Sequence, residues 1–266
     1  MLPFIHIGPF RFASYGIMMA TGLFIGYYML RADLRRRKLG LNPLVLVLAI
    51  GLSGLLASKL YLALESPALF LSDPAFLLNC AGYTFYGAVL GAAGVVFVLT
   101  RYYRVSPWSL FDTISAEAAL GYGIGRIGCL LAGDGDYGTP TSLPWGMSFP
   151  HRLVPTVARV HPTPIYEFIV AVLIAAYLWR RGGRTLRDPA AAGEVFAQYL
   201  VLTGAACFLV EFLRLNPPVL WGLSNAQCVA VASIAAGAVL QVAVWLRRRS
   251  PIIQSSADEP VTRSMT

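Results

Sequence analysis

The chain has 266 residues, of which 57% are hydrophobic and only 13% are charged, and its mean hydropathy is +0.64. A soluble globular domain has about 25% charged residues, so this composition excludes that class and predicts an all-α polytopic membrane protein. The formal net charge of +8 does not indicate nucleic-acid binding, because the basic residues are grouped at the ends of apolar stretches and serve as an orientation signal.

Seven apolar stretches are long enough to cross a hydrocarbon core of about 30 Å. They cover residues 15–30, 43–64, 83–100, 107–133, 163–180, 194–214 and 223–246. Residues 1–249 are therefore predicted to form a single transmembrane domain with an outer loop at about 134–162. We expect no cleavable signal peptide, because the first residues lack a basic start. Residues 250–266 are polar and without periodicity, and are expected to form a disordered cytoplasmic tail.

The runs of basic residues follow the first, third, fifth and seventh spans. They are Arg31, Arg35, Arg36, Arg37, Lys38, Arg101, Arg104, Arg180, Arg181, Arg184, Arg187, Arg247, Arg248 and Arg249. Short loops rich in lysine and arginine stay in the cytoplasm. With seven spans, this pattern predicts an amino terminus outside and a carboxyl terminus in the cytoplasm.

One charged residue interrupts the fourth span. Arg126 lies in Gly121-Tyr-Gly-Ile-Gly-Arg-Ile-Gly-Cys129, where a charge costs roughly 2.5 to 3.5 kcal/mol unless a partner, a water-filled cavity or an anionic ligand compensates it. Tyr122 and Cys129 share the helix face of Arg126. The stretch also matches a dinucleotide-binding pattern of glycines, but no strand precedes it, so the glycines indicate close helix packing. We expect the functional site at Arg126.

Polar residues of the other spans gather on the predicted outer side. They are Tyr15, Lys59, Tyr61, Tyr83, Tyr86, His161, Tyr166, Glu167, Glu211 and Arg214. A group of Arg126, Lys59 and Arg214 would suit a phospholipid head group, because guanidinium binds phosphate through two hydrogen bonds and ammonium acts as a point charge. The alternative is that Arg126 pairs with Glu211 or Glu167 for structure alone.

The outer loop contains acidic and histidine residues but matches no metal-binding pattern. Asp134 and Asp136 lack the twelve-residue spacing and terminal glutamate of a calcium loop. His151 and His161 are too isolated to predict a zinc site. The cysteines show neither metal-ligand spacing nor a disulfide framework; they are Cys80, Cys129, Cys207 and Cys228. We therefore expect no metal and no cofactor.

In its motifs the chain resembles the prolipoprotein diacylglyceryl transferases of bacterial inner membranes, and the resemblance covers nearly the whole sequence. The matching motifs are Tyr15-Gly16, Phe85-Tyr-Gly87, Gly125-Arg-Ile-Gly128 with Gly133 and Tyr137-Gly138, Pro144-Trp145-Gly146, His161-Pro162 with Tyr166-Glu167, and Val210-Glu-Phe-Leu-Arg214. The run from Gly125 to Gly138, followed by His161-Pro162 and Tyr166-Glu167, is the most specific part.

The resemblance implies a multi-pass transferase of the bacterial inner membrane. Its reaction would move the diacylglyceryl group of phosphatidylglycerol to the lipobox cysteine thiol of a preprolipoprotein, as the first step of lipoprotein maturation, with membrane lipid around it. Such a reaction needs a base that forms the thiolate and cations that stabilise the departing phosphate. Tyr86 and Arg126 are the catalytic candidates. The substrate-binding candidates are Tyr15, Lys59, Cys129, Asp134, Asp136, Tyr137, Gly138, His161, Glu167, Glu211 and Arg214.

More specific roles follow for some of these candidates. We expect Arg126 and Lys59 to hold the phosphate, and the loop around Tyr137 to order over the head group. His161 and Glu167 are expected to brace that loop rather than to carry out chemistry. Glu211 and Arg214 are three residues apart at the end of the sixth span, where they could form a structural pair.

The chain departs from the family pattern within the site. Tyr86 stands where the family commonly has histidine, and a phenol with a reference pKa near 10 is a poor base at neutral pH. Cys129 replaces an asparagine, and Cys207 stands about where an arginine would be expected. The alternative is therefore a paralogue that keeps the fold and a phospholipid pocket but has a different or lost reaction. A transporter is disfavoured, because the polar cluster is displaced from the midplane and no repeat is visible.

Overall fold

The computed structural model describes residues 4–7, 10–67, 83–150, 154–186 and 188–249. Seven α-helices form most of this part of the chain: α1 Ser14–Arg36, α2 Pro43–Glu65, α3 Phe85–Tyr102, α4 Pro107–Ala132, α5 Thr163–Thr185, α6 Glu194–Glu211 and α7 Asn225–Arg249. Cys80, His151, Arg187 and the predicted tail at 250–266 lie outside the described residues, so the predictions made for them stay predictions.

Each predicted span overlaps one of these helices, and the protein is an all-α polytopic membrane protein. Four helical segments are long and apolar enough to cross a membrane by length and composition: Pro43–Glu65, Thr163–Thr185, Pro189–Glu211 and Asn225–Arg249, while the apolar helix Tyr86–Tyr102 is shorter. The number of spans and the orientation therefore remain predictions.

Three short antiparallel sheets of two strands each and a 3-10 turn at Pro189–Ala191 complete the described secondary structure. Their strands are β1 Phe4–Ile7 with β2 Phe10–Ala13, β3 Met147–Phe149 with β4 Thr156–Val160, and β5 Pro218–Leu220 with β6 Leu223–Ser224. The pair β3–β4 lies in the predicted outer loop, between α4 and α5, and the pair β5–β6 joins α6 to α7.

The chain divides into two compact units. One contains residues 23–113 and the other contains residues 1–22 and 114–266, so α1 and α4 contribute to both. The single transmembrane domain expected for residues 1–249 stays a prediction.

In the unit of residues 23–113, α2 and α3 pack closely where α3 begins. A Cβ atom at Gly87 would lie 2.6 Å from the carbonyl oxygen of Ala57, so only glycine fits this contact. Beside it, Ser58 Oγ donates to the carbonyl of Thr84 at 2.8 Å and Thr84 Oγ1 donates to the carbonyl of Ser58 at 2.9 Å. These reciprocal hydrogen bonds fix the start of α3, the segment that carries Tyr86.

In the larger unit, α6 and α7 also pack through glycines. A Cβ atom at Gly204 would lie 2.8 Å from the carbonyl oxygen of Ala230, and one at Gly237 would lie 2.7 Å from that of Ala197. Close approach of this kind is typical of membrane helices, because their association depends on van der Waals packing rather than on the hydrophobic effect.

An ion-pair cluster joins α5, α6 and α7 at the first residue of α6. We call it the Glu194 cluster. Glu194 is fully buried and accepts hydrogen bonds from Arg181 of α5. Its second carboxylate oxygen lies 2.6 Å from Arg248 Nη1, and Arg248 Nε lies 2.9 Å from Asp188. Gln198 also donates to Glu194, at 3.3 Å. The cluster therefore ties three helices together.

Candidate functional site

Arg126 lies on the face of α4 that it shares with Tyr122, as the sequence predicts. Its guanidinium group pairs with Asp136 through Nη1 and lies 3.3 Å from Glu167 Oε1 through Nε. The Tyr122 ring lies 4.8 Å from the guanidinium carbon, and the Tyr122 hydroxyl donates to Glu167. The charge of Arg126 is therefore compensated by two carboxylates within the protein.

Arg214 reaches the same carboxylates from the end of α6. Its Nη2 lies 3.2 Å from Asp136 Oδ1 and 3.3 Å from Glu167 Oε2, and its Nη1 lies 3.8 Å from Glu211 Oε2. Asp136 and Glu167 therefore each bridge Arg126 and Arg214. We call these four residues the arginine cluster. The predicted pair between Glu211 and Arg214 is present at its edge.

The arginine cluster is close to neutral, which the sequence analysis did not predict. Two guanidinium groups and two carboxylates leave no formal net charge, in place of the cationic phosphate site expected from Arg126, Lys59 and Arg214. Two guanidinium nitrogens nevertheless have no hydrogen bond to the described residues, namely Arg126 Nη2 and the buried Arg214 Nε. The carboxylates therefore orient the two guanidinium groups without using all of their donors.

Backbone hydrogen bonds hold Asp136 and the residues after it against the ends of α5 and α6. Gly138 donates to the carbonyl of His161 at 2.9 Å, and Thr139 donates to that of Leu213 at 2.7 Å. The hydroxyl of Thr163 donates to the Asp136 carbonyl at 2.6 Å. The acidic residue of the loop is thus positioned by the backbone as well as by the arginines.

The side chain of Tyr137 anchors the same loop in a small apolar core. Its ring is buried and stacks on Phe149 of β3 at a centroid distance of 3.9 Å. Leu130 of α4 and Val160 of β4 complete this core. The Tyr137 side chain therefore fixes the loop to this apolar core.

Glu211 connects the arginine cluster to the segment between α6 and α7. One of its oxygens accepts hydrogen bonds from Asn216 Nδ2 and from Ser224 Oγ, each at 2.6 Å. Ser224 in turn accepts from the backbone of Gln227 at 3.2 Å. Glu211 is therefore held by both ends of that segment while it pairs with Arg214.

Cys129 and Tyr15 extend the site along α4. Cys129 Sγ and the carboxylates of Asp134 and Asp136 lie within 4.8 Å of one another. Carboxylates and a thiolate are metal ligands, but Asp136 is already paired with both arginines, so we assign no metal to this group. The Tyr15 ring packs against Gly128, where a Cβ atom would lie 3.0 Å from Tyr15 Cδ2.

His161 and Glu167 both lie at the start of α5, where the loop returns to the helix. Tyr166 accepts a hydrogen bond from Trp145 Nε1 at 2.8 Å, and its hydroxyl lies 3.3 Å from His161 Nδ1. Through its backbone, His161 binds the loop at Gly138 and Thr139. His161 therefore contacts the loop directly, whereas Glu167 contacts Arg126, Arg214 and Tyr122.

Lys59 and Tyr86 belong to the unit of residues 23–113. Lys59 is buried, and its Nζ lies 4.5 Å from the centroid of the Tyr83 ring. Tyr86 is in the first turn of α3, next to the hydrogen-bonded pair of Ser58 and Thr84. The roles predicted for Lys59 and Tyr86 from the sequence stay predictions.

Five residues that hold the site together were not among the predicted site residues. They are Tyr122, Thr163, Asn216, Ser224 and Gln227. The sequence places Tyr122 on the helix face of Arg126, four residues before it, but no role was predicted for it. Ser224 and Gln227 could have been found as well, because Ser-x-x-Gln before an apolar stretch is a capping-box signature, and each side chain binds the backbone N–H of the other residue. Thr163 and Asn216 carry no signal in the sequence, since threonine and asparagine are common at helix ends.

We predict that Gly138→Ala lowers activity roughly 100-fold, because displacement of a positioning group by about 1 Å has an effect of that size. A Cβ atom here would lie 2.6 Å from the Leu213 carbonyl oxygen and 2.7 Å from His161 Cβ, so the loop carrying Asp136 must shift. Gly121→Ala is the matched control, since nothing lies within 4 Å of its Cβ position. Turnover by the two purified variants should differ; equal turnover would contradict the prediction.

Comparisons with known proteins point to one family, and the match covers almost the entire chain. The model of the family described as prolipoprotein diacylglyceryl transferase matches residues 3–243. A phosphatidylglycerol–prolipoprotein diacylglyceryl transferase of Clostridium tetani is 33% identical over 212 residues, which are 77% of this chain and 81% of the relative. Relatives of the same name from Bordetella parapertussis and Synechococcus elongatus are 32% and 29% identical, over 89% and 98% of this chain and 92% and 93% of their own. The chain therefore belongs to the prolipoprotein diacylglyceryl transferase family.

Proposed function

We propose that this protein transfers the diacylglyceryl group of phosphatidylglycerol to the lipobox cysteine of a preprolipoprotein. The observation that carries the proposal is the family match over residues 3–243, in a chain whose signature arginine, Arg126, meets Arg214 in one cluster. The relatives compared above are named for the same lipid donor and the same class of protein acceptor.

The reaction sets requirements that the arginine cluster can meet in part. The thiolate of the acceptor attacks a glycerol carbon, a carbon–sulfur bond forms, and the carbon–oxygen bond to the phosphate breaks. The electron pair leaves with the phosphate, so glycerol phosphate departs. Guanidinium groups aimed at this phosphate lower the barrier, because they stabilise the charge that develops on the leaving oxygen.

In this proposal Arg126 contacts the phosphate, and Arg214 does so from the opposite side. Asp136 and Glu167 hold the two guanidinium planes in fixed orientations, so little reorganisation is needed when the lipid binds. The unused donor at Arg126 Nη2 is the group available for a phosphate oxygen, whereas Arg214 Nε is buried and would reach one only after the cluster opens. Tyr15, Cys129 and Asp134 line the same face of the larger unit.

Lys59 and Tyr86 keep the roles that the resemblance implies. Lys59 supplies a further cation, and Tyr86 takes the position of the family's histidine. A phenol can act as the base only if neighbouring cations stabilise its phenolate form. The proposal for Tyr86 therefore depends on a cation near its hydroxyl during the reaction.

We further propose a multi-pass location in the bacterial inner membrane, with the amino terminus outside and the site toward the outer leaflet. The grouping of basic residues after α1, α3, α5 and α7 supports this orientation. Preprolipoproteins present their lipobox after export, so a site facing outward would meet both substrates.

A second candidate is a paralogue with a changed or lost reaction. The substitutions at Tyr86, Cys129 and Cys207 favour it, because they fall at positions where the family resemblance leads us to expect histidine, asparagine and arginine. These substitutions leave the helical fold of the family unchanged. This candidate and the transferase make opposite predictions for complementation.

We expect the protein to restore growth to a bacterium depleted of its own diacylglyceryl transferase, and a reporter lipoprotein to gain the mass of one diacylglyceryl group. Tyr86→Phe should lower the transfer rate at least ~100-fold if Tyr86 is the base. Immunoblots of membranes and a tag at each terminus would verify expression and insertion. Failure of a well-expressed, inserted wild-type protein would favour the paralogue, and full activity of Tyr86→Phe would exclude Tyr86 as the base.

A further inference from the structure

The connection between α6 and α7 is a short hairpin with a tryptophan at its tip. Strands β5 and β6 are joined by Trp221 and Gly222, whose φ angles are 49° and 79°. Two left-handed residues in succession form the type of tight turn that asparagine and glycine adopt readily. Trp221 occupies the first of these positions with 91% of its surface exposed.

This arrangement is unfavourable for the isolated protein in water. A bulky residue in the left-handed region is a conformational outlier, because its Cβ atom crowds the backbone. The exposed indole also gains nothing from burial against the described residues. Because Trp221 combines an unfavourable backbone conformation with an exposed indole, we expect a contact outside the protein to stabilise it.

The apolar surface around Trp221 continues that of two candidate membrane spans. Exposed apolar side chains run from the end of α6 through the hairpin to the start of α7: Leu209, Phe212, Leu215, Val219, Leu220, Trp221 and Val229. Between residues 212 and 224 the sequence contains one charged residue, Arg214, and its side chain is only 11% exposed because it lies in the arginine cluster. The hairpin therefore presents an uncharged apolar face directly beside lipid-facing helix surface.

We propose that this hairpin is seated in the lipid interface of the leaflet on the side of the arginine cluster, with the Trp221 indole at head-group level. Tryptophan is enriched at this depth, because its ring is apolar while its N–H can bind water or a head group. A second copy of the chain or a polypeptide substrate would need a contact surface with some polar specificity. The uncharged and largely apolar face of this hairpin fits lipid better.

The hairpin is also coupled to the arginine cluster. Asn216 before β5 and Ser224 in β6 both bind Glu211, which pairs with Arg214. An anchor at Trp221 would therefore set the depth of the two arginines relative to the lipid head groups. The location of the hairpin can be measured without turnover, so it does not depend on the proposed function.

The test is fluorine NMR of the full-length protein in phosphatidylglycerol-containing nanodiscs, with its five tryptophans replaced by fluorotryptophan. The resonance missing from Trp221→Phe is that of Trp221. Broadening is then compared between a lipid carrying a nitroxide near its head group and a water-soluble gadolinium chelate. Trp145, assigned in the same way, is the reference for a loop tryptophan whose indole N–H is already bonded within the protein.

The proposal predicts that the lipid nitroxide broadens the Trp221 resonance several-fold more than it broadens that of Trp145, and that the chelate has little effect on Trp221. Broadening by the chelate alone would place Trp221 in water and overturn the proposal. No broadening by either probe would place it against protein, in a contact with a second copy, and would overturn it as well.

Discussion

Replacing Arg126 with alanine is expected to reduce diacylglyceryl transfer at least ~100-fold, which is the usual effect of removing one donor from a charge-stabilising site. The structure adds a second expected effect, on stability. Glu167 is buried and would keep Arg214 as its remaining cation in the cluster. Leaving a buried carboxylate short of a partner costs about 3 kcal/mol. Transfer by the purified variant and its thermal midpoint in detergent would measure the two effects.

A paired variant separates these effects. Arg126→Ala combined with Glu167→Gln removes one charge of each sign, so the cluster stays neutral and Tyr122 retains an acceptor at position 167. We expect the thermal midpoint to recover while transfer stays low. If transfer recovers together with stability, Arg126 acts only through charge balance, and the structural alternative for Arg126 is the correct one.

Replacing Glu194 with alanine is expected to destabilise the larger unit at the end of α6 that lies away from the arginine cluster. It leaves Arg181 and Arg248 close together without the carboxylate that both contact. These arginines are about one third exposed, so the loss should be near the lower end for a broken buried pair, about 2 to 3 kcal/mol. For a chain of this size, that corresponds to a fall in thermal midpoint of roughly 5 to 10 °C.

Asp188→Asn is the matched control for this variant. Asp188 also pairs with Arg248, but its side chain is 43% exposed, and exposed pairs contribute less than about 1 kcal/mol. The transfer rate per folded molecule should be unchanged in both variants at a temperature well below the midpoint. Equal midpoints for Glu194→Ala and Asp188→Asn would show that burial of Glu194 does not determine the strength of the cluster.

The helices were predictable because their signal is local. Apolar stretches bounded by proline, asparagine and basic residues identify α2 and α5 directly. In α2, the Asn42 side chain at this boundary accepts a hydrogen bond from the backbone of Leu44 and caps the helix. The helix face that Arg126 shares with Tyr122 also follows from helical periodicity alone. Its need for a compensating group follows from the cost of a charge in an apolar environment.

The all-α fold with its seven described helices, the family motifs and the expectation of a functional site at Arg126 therefore came from the sequence itself. The tertiary structure decided which groups compensate that arginine. Asp136 and Glu167 lie 10 and 41 positions from Arg126 along the chain, and Arg214 lies 88 positions away. No periodic pattern relates residues on two helices, a loop and the segment after α6. Ion pairs between them form only when helix packing and the β-bridge between Gly138 and Arg214 bring them together. The same physical reason applies to Glu211, whose hydrogen bonds to Asn216 and Ser224 exist only because the hairpin carrying Trp221 folds back onto the end of α6.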